Sequence, residues 1–123
     1  EQYRSLVERR AGGEPIAYIL GFKEFYGYRF KVTPGVLVPR PETELIVELV
    51  IREEFQDPIR ILDLGTGSGC LIAALVKELH KCGVDCSGIG IDRSEEALTV
   101  ARENLKDLGL SESVELIQMC NLM

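Results

Sequence analysis

The segment ILDLGTGSG, residues 61–69, constrains the fold of this 123-residue chain more than any other part of its sequence. Apolar side chains predict a buried strand over residues 59–64, and helical apolar spacing predicts a helix over residues 70–79. Between them lie glycines at alternate positions, Gly65, Gly67 and Gly69. Glycine is needed where φ is positive or where a ligand must touch main chain without a Cβ in the way. Such a loop at the carboxyl end of a parallel strand is where open α/β sheets bind nucleotide-like ligands.

The spacing of these glycines argues against a dinucleotide. The dinucleotide fingerprint G-x-G-x-x-G/A requires a small third residue, and the corresponding position here is Cys70 or Ile72, depending on the glycine pair counted. The pattern G-x-G-x-G after an acidic strand end instead resembles the first motif of S-adenosylmethionine-dependent methyltransferases with a Rossmann-like sheet. In that class, an acid at the end of the next strand accepts hydrogen bonds from two ribose hydroxyls. Asp92 ends the strand predicted over residues 87–92 and takes this place.

This resemblance implies a cofactor site around the loop. Ser94 is a better N-cap than Asp92 for the helix predicted over residues 95–108, which leaves Asp92 free for the ligand. For Asp63 two roles stay open: it binds the amino group of the cofactor's methionine, or it only accepts hydrogen bonds from loop amides. The expected S-adenosylmethionine-binding residues are Gly65, Thr66, Gly67, Ser68, Gly69, Asp92 and Asp63.

Three segments ahead of the loop narrow the resemblance to one family. They are GEPIAYILG at residues 13–21, EFYGYRFKV at 24–32 and VLVPRPETE at 36–44. In this order, and followed by ILDLGTGSG, they closely resemble the HemK/PrmC family of protein-(glutamine) methyltransferases. The resemblance implies methyl transfer from S-adenosylmethionine to the side-chain amide of the glutamine in the GGQ loop of peptide chain release factors. The partner that it implies is therefore a release factor, in the cytoplasm or, as an alternative, in an organelle.

The residues of this stretch also predict a rigid arm. Aromatic and β-branched runs around Gly27 predict a hairpin over residues 22–32. Pro39-Arg40-Pro41 predicts a stiff extended crossing, because proline fixes φ and lacks an amide donor. A helix is then predicted from residue 42 or 43 to about residue 54. The expected apolar face of this helix comprises Leu45, Ile46, Leu49 and Val50.

Three charged residues of this arm, Arg40, Glu42 and Glu44, have two interpretations. The family resemblance implies that they lie beside the cofactor and substrate pocket. The alternative is a solvated helix start, where acids are favoured near the positive end of the helix dipole. We assign Arg40 and Glu42 as substrate-proximal and Glu44 to the helix start.

The catalytic motif of the family, Asn-Pro-Pro-Tyr at the end of its fourth strand, does not occur in this sequence, so no catalytic residue is assigned. The family usually also has an acid after its third strand, predicted here over residues 114–118, that contacts adenine. Cys120 or Asn121 takes that position here, depending on one residue of register.

The sequence therefore predicts an α/β fragment with part of a Rossmann-like methyltransferase sheet. The expected order of its three parallel strands is 3-2-1, which leaves the strand at residues 59–64 as an exposed edge. The expected organisation is the end of an N-terminal helical substrate-recognition domain at residues 1–12, a β-hairpin linker at 13–40 and the N-terminal part of a methyltransferase domain at 41–123.

Charge and composition bear on the alternatives. The net charge of −6 and the pI of about 4.8 argue against a direct nucleic-acid partner. They therefore weigh against the main enzymatic alternative, an adenine-amine methyltransferase of DNA or RNA. An alternative from another class is a truncated, non-catalytic product that at most binds cofactor or a partner.

Cys82 and Cys86 with His80 offer at most three metal ligands, so free thiols rather than a metal site are expected. No segment resembles a signal peptide or a transmembrane run, so no membrane partner is expected.

Overall fold

The computed structural model describes residues 2–56 and 58–120, which fold into a hairpin and a parallel sheet flanked by helices. A short 3₁₀ turn, Pro41–Thr43, precedes α3. The other elements, in chain order, are α1 (Gln2–Ala11), α2 (Ile16–Leu20), β1 (Phe22–Phe25), β2 (Tyr28–Lys31), α3 (Glu44–Arg52), β3 (Ile59–Leu64), α4 (Cys70–Lys81), β4 (Cys86–Asp92), α5 (Glu95–Asp107) and β5 (Val114–Gln118).

The main sheet consists of β3, β4 and β5, which are parallel and lie in that order. Ile61 pairs with Gly88, and Gly88 pairs with Val114, so the carboxyl ends of the strands meet at one edge of the sheet. This confirms the predicted α/β fold class. Among the described residues β3 pairs only with β4, as expected, and its Leu62 and Leu64 are about 60% exposed on the face away from α4.

Two glycines of β4 allow α4 and the loop before it to pack closely on the sheet. A Cβ added at Gly88 would lie 2.7 Å from Cδ1 of Ile72, and one at Gly90 would lie 2.9 Å from Oγ1 of Thr66. Since real Cβ atoms do not approach so closely, these positions exclude a larger side chain unless the neighbours move. β4 is therefore shaped by tertiary contact as well as by its apolar residues.

The predicted hairpin is present, and it turns through Tyr26 and Gly27. Both residues have positive φ, 51° and 81°, as a two-residue type I′ turn requires. The rings of Phe25 and Phe30 meet edge to face with centroids 6.3 Å apart, and both side chains are buried in the main hydrophobic core. The hairpin is therefore packed onto the same core as α4 rather than standing apart from it.

α2 was not predicted, because residues 13–40 were assigned to a hairpin linker. It has only five residues and lies between Pro15 and Gly21, so it is too short to show helical periodicity. The predicted boundaries at residues 12 and 40 stay predictions.

The apolar face predicted for α3 is wrong in part. Val47 is fully buried, and Val50 and Ile51 pack beside it on the core. By contrast, the predicted face members Leu45, Ile46 and Leu49 are 58%, 45% and 61% exposed. The sequence ELIVELVIR is apolar on nearly every side of the helix, so periodicity alone could not select the face that packs.

α4 and α5 confirm the predicted helices and cover one face of the sheet. α4 runs two residues beyond its predicted end, and α5 ends one residue before its own. Ser94 caps α5 as expected, because its Oγ accepts a hydrogen bond of 3.1 Å from the amide of Ala97. Within residues 2–56 and 58–120, none of the helices combines the length and apolarity that crossing a membrane would require.

Candidate cofactor site

The glycine loop, residues 65–69, follows β3 and exposes main chain that no side chain covers. Gly65 and Gly67 have φ of 74° and 56°, and a Cβ built on either would meet nothing within 4 Å. Gly69 has a φ of 81° and precedes α4, and its Cβ would lie 3.3 Å from that of Ala101 on α5. Gly69 therefore serves the packing of the loop against α5, whereas Gly65 and Gly67 present open main chain to a ligand.

The end of β4 holds this loop in place. The amides of Gly65 and Thr66 donate hydrogen bonds of 2.8 and 2.9 Å to the carbonyl of Ile91. The amide of Gly67 donates to Oδ2 of Asp92 at 2.9 Å. The predicted meeting of the glycine loop with Asp92 is thus present in the structure.

Asp92 is not free, in contrast to the expectation. Besides Gly67, it accepts a hydrogen bond of 2.9 Å at Oδ1 from the amide of Ser94. Each carboxylate oxygen has a second lone pair, so both can still accept another hydrogen bond. The two amide donors fix the orientation of a partly buried carboxylate beside the loop, and this is where a ligand hydroxyl could bind.

Thr66 and Ser68 turn their side chains inward. They are 7% and 3% exposed. The hydroxyl of Thr66 donates to Oδ2 of Asp63 at 2.8 Å, and the hydroxyl of Ser68 lies 2.9 Å from Sγ of Cys70. These two predicted site residues can therefore reach a ligand through main chain rather than through their hydroxyls. Burial raises the pKa of Cys70 to about 12, so its thiol stays protonated and is no nucleophile.

Asp63 is a carboxyl group in an unfavourable setting. Burial raises the pKa of Asp63 above its usual value, and the nearby carboxylate of Asp92 raises it further, while the hydrogen bond from Thr66 acts in the opposite direction. Within the described residues, the donor to this carboxylate is the Thr66 hydroxyl and not a loop amide. This favours the first of its two predicted roles, since a positively charged ligand group would relieve the repulsion between the two acids.

The loop and the linker enclose a cavity of about 250 Å³. Arg40 lines it, as predicted, together with Asp63 and the main chain of the loop. Glu42 is exposed and is not one of the lining residues. The remaining wall was not predicted and comprises Leu37, Val38, Pro39, Thr43, Cys70 and Leu71. Its linker part belongs to the segment VLVPRPETE, in which only the charged residues were singled out.

Glu44 has a structural role that neither interpretation included. Its Oε2 accepts a hydrogen bond of 2.6 Å from the amide of Tyr26 in the hairpin turn. The first residue of α3 therefore fixes the hairpin turn through its carboxylate.

Asn104 joins the hairpin to the glycine loop and had no predicted role. Its Oδ1 accepts from the amide of Lys31 at 2.7 Å, and its Nδ2 donates to the carbonyls of Lys31 at 3.0 Å and Ser68 at 2.8 Å. The residue is only 2% exposed. A polar side chain between Ala101 and Leu105 on the inward face of α5 was the signal that could have identified it.

A bare loop and two acids at the carboxyl ends of parallel strands are the arrangement typical of nucleotide-binding sites in Rossmann-like α/β domains. Residues 56–120 match the methyltransferase-domain family, and residues 1–21 match the PrmC N-terminal domain. The chain therefore belongs to the methyltransferase-domain family, and its predicted HemK/PrmC resemblance is confirmed.

Two relatives and one solved structure illustrate this membership. The release factor glutamine methyltransferase of Nitratidesulfovibrio vulgaris is 41% identical over 94% of this chain and 38% of its own. That of Neisseria gonorrhoeae is 49% identical over 85% of this chain and 36% of its own. The crystal structure of an RNA methyltransferase from Salinibacter ruber, in complex with S-adenosyl-L-homocysteine, matches 68% of this chain and 50% of its own with a TM-score of 0.53 and 26% identity. The chain thus spans less than half the length of the curated relatives it matches.

Substitution of Asn104 by aspartate should destabilise the fold by about 3 kcal/mol, because two carbonyls lose their donor and face a buried charge. Glu103→Gln is the matched control: it removes the exposed ion pair between Glu103 and Lys31, 2.6 Å long, and should cost less than about 1 kcal/mol. Urea denaturation measures both free energies of unfolding. Equal losses in the two variants would show that Asn104 does not join the hairpin to the loop.

Substitution of Asp63 by asparagine should increase the free energy of unfolding at pH 7. The folded-state pKa of Asp63 lies above its unfolded value, so ionisation opposes folding. The cost begins as the pH rises through the unfolded pKa, is complete above the folded pKa, and is absent below the unfolded pKa. The difference between variant and parent should therefore disappear near about pH 3, where the carboxyl is protonated in both states. Denaturation across this pH range measures it, with the exposed Asp107→Asn as control. A variant that is less stable than the parent at pH 7 would contradict the assignment.

Proposed function

We propose that this chain binds S-adenosylmethionine in the glycine-loop cavity and forms the cofactor-binding part of a protein-glutamine methyltransferase. The observation that carries the proposal is the open main chain of Gly65 and Gly67 beside a cavity lined by Asp63, with Asp92 hydrogen-bonded to the amide of Gly67. The crystal structure of the Salinibacter ruber protein, which has a similar fold, contains S-adenosyl-L-homocysteine. The names of the curated relatives support the substrate class.

The residues present fit this cofactor. Asp63 would attract the positive ammonium group, since its carboxylate lies buried near a second acid. Asp92 would accept hydrogen bonds from ribose hydroxyls with its remaining lone pairs. Thr66 and Ser68 would contact the cofactor through their main-chain atoms, because their hydroxyls point inward. Gly69 would act indirectly, because it lets the loop pack against Ala101. Cys120 is exposed just after β5, and its alternative for the adenine position, Asn121, lies outside the described residues.

The acceptor in this proposal is the side-chain amide nitrogen of a glutamine in a release factor. That nitrogen is a poor nucleophile, because its lone pair is delocalised into the carbonyl. The methyl donor is the sulfonium of the cofactor, so the protein must hold the nitrogen in line with it. Such positioning can lower a barrier by roughly 7–11 kcal/mol. Arg40 lines the cavity and would lie beside the substrate, whereas Glu42 has no such support. A cytoplasmic location belongs to the same proposal, because release factors act in translation.

The alternative is an adenine-amine methyltransferase, and the fold alone does not decide against it. A protein described as an RNA methyltransferase has a similar fold. The net charge of −6 disfavours a nucleic-acid substrate, since neutralisation of phosphates requires clustered lysine and arginine. The identity of up to 49% to release factor glutamine methyltransferases favours the protein substrate. A non-catalytic product that only binds cofactor remains the alternative from another class.

Substitution of Asp92 by alanine should weaken the binding of S-adenosylhomocysteine by about 1.5–3 kcal/mol, because charge-assisted hydrogen bonds to the ribose are lost. Isothermal titration calorimetry on the 123-residue chain measures the change. Asp107→Ala, at the exposed end of α5, removes an acid far from the loop and should leave the affinity unchanged. Circular dichroism establishes that each variant is folded. An unchanged affinity in the Asp92 variant, or no binding by the folded parent chain, would contradict the cofactor site.

Methyl transfer can be tested in a chimera that joins this chain to the part of the Neisseria gonorrhoeae relative that it does not cover. The chimera should label a bacterial release factor with the methyl group of S-adenosylmethionine. Replacement of the acceptor glutamine in the release factor by alanine should abolish the label, which identifies the modified side chain. A DNA duplex and an RNA of matched concentration are the competing substrates. Label on either nucleic acid, and none on the release factor, would show the adenine-amine alternative to be right.

A further inference from the structure

A second groove lies next to the candidate cofactor cavity, between the N-terminal helices, β1 and the linker. Its volume is about 430 Å³. Three of its lining residues, Arg10, Lys23 and Arg40, are cations, although the chain as a whole carries a net charge of −6. None of the described residues that line it carries a carboxylate. The groove is thus a positive region on an acidic protein.

These cations have no carboxylate partner among the described residues. The acids that flank Arg10 in sequence are Glu8 and Glu14. Glu8 forms no ion pair with Arg10 within the described residues. The carboxylate of Glu14 accepts hydrogen bonds from Nη2 and Nε of Arg9, at 2.5 and 2.8 Å. Arg10 instead donates to the main-chain carbonyl of Glu14 at 3.1 Å. Neither Lys23 nor Arg40 takes part in an ion pair within residues 2–56 and 58–120. Their charges are therefore available to a ligand that carries carboxylates.

The same groove exposes apolar side chains between its charges. Ile16 is 56% exposed and Leu37 is 82% exposed. These aliphatic side chains offer apolar surface that a ligand in the groove could cover. Cations on either side of the exposed Ile16 and Leu37 are complementary to a peptide segment in which acidic residues flank an apolar one.

The groove continues into the cofactor cavity. Leu37, Val38 and Arg40 line both. Val36, which precedes this shared wall in the chain, is held by two contacts. Its carbonyl accepts a hydrogen bond of 2.7 Å from the hydroxyl of Tyr18, and its side chain is buried against α5. A chain lying in the groove would therefore lead directly to the glycine loop.

We infer that the groove binds an extended acidic segment of the protein substrate and guides it toward the cofactor. This inference rests on the proposed function, since it assigns the second ligand of the same site. Carboxylates of the segment pair with Arg10, Lys23 and Arg40, and an apolar side chain between them packs on Ile16 and Leu37. The aliphatic side chains between the cations favour a peptide over a nucleic acid in this place, because a phosphate backbone has no aliphatic side chain to pack on them.

A fluorescein-labelled Glu-Glu-Leu-Leu-Glu-Glu peptide tests the inference by fluorescence anisotropy on the 123-residue chain. The double variant Arg10→Glu/Lys23→Glu should weaken its binding by about tenfold or more, and the neutral pair Arg10→Gln/Lys23→Gln by less. Arg60→Glu, which changes an exposed cation on β3 away from the groove, should leave the affinity within about twofold. Neither Arg10 nor Lys23 lines the cofactor cavity, so the affinity for S-adenosylhomocysteine should stay unchanged in every variant.

Three outcomes would overturn the inference. They are equal binding of the corresponding Lys-Lys-Leu-Leu-Lys-Lys peptide, an Arg60→Glu loss as large as that of the groove variants, and tighter binding of an oligouridylate than of the acidic peptide. The cofactor measurement is independent of these. If S-adenosylhomocysteine fails to bind while the charge-dependent peptide binding is found, the proposed function is wrong and the groove still binds acidic peptides.

Discussion

Hydrogen bonds from the glycine loop to the end of β4 are the constraint on which the candidate site depends. The amides of Gly65 and Thr66 donate to one carbonyl, that of Ile91, and the amide of Gly67 donates to the carboxylate of Asp92. A loop with several glycines loses much conformational entropy on folding, so it requires such external attachment to keep one path. Because the attachment comes from the neighbouring strand, the loop needs no large side chains of its own. Its outer main chain therefore stays accessible.

Most of the fold could be predicted because its elements carry their signals locally. β3 and β5 have the predicted bounds, and Ser94 caps α5 as its position suggested. The errors arise where distant contacts decide. α3 is apolar on nearly every side, and only its packing on the core selects Val47 as the buried residue. The glycines of β4 are needed because Ile72 and Thr66 approach them, and these contacts cannot be read from the strand alone.

The candidate site shows the same division. The glycines and Asp92 were predicted because they follow strand ends, and parallel strands bring their carboxyl ends together. The hydrogen bonds of Asp92 to two amides were not predicted, since they depend on the loop conformation. Asn104 was missed because its three hydrogen bonds go to two residues far away in sequence, Lys31 on β2 and Ser68 in the loop. Its contacts therefore join the hairpin to the glycine loop.

The cavity and the groove differ in the charged residues that line them. The cavity contains the carboxyl group of Asp63, whose raised pKa reflects burial and the nearby Asp92. The groove carries Arg10 and Lys23, and Arg40 lies where the two meet. In the proposed function, a cofactor with positive sulfonium and ammonium groups is favoured at the acidic end, and an acidic peptide is favoured at the basic end. The ammonium group would be disfavoured beside Arg10 and Lys23, and a carboxylate beside Asp63, because like charges at short range in a partly buried site are poorly screened. The charge pattern would therefore order two ligands along one continuous channel, with their reacting groups meeting beside the bare main chain of Gly65 and Gly67.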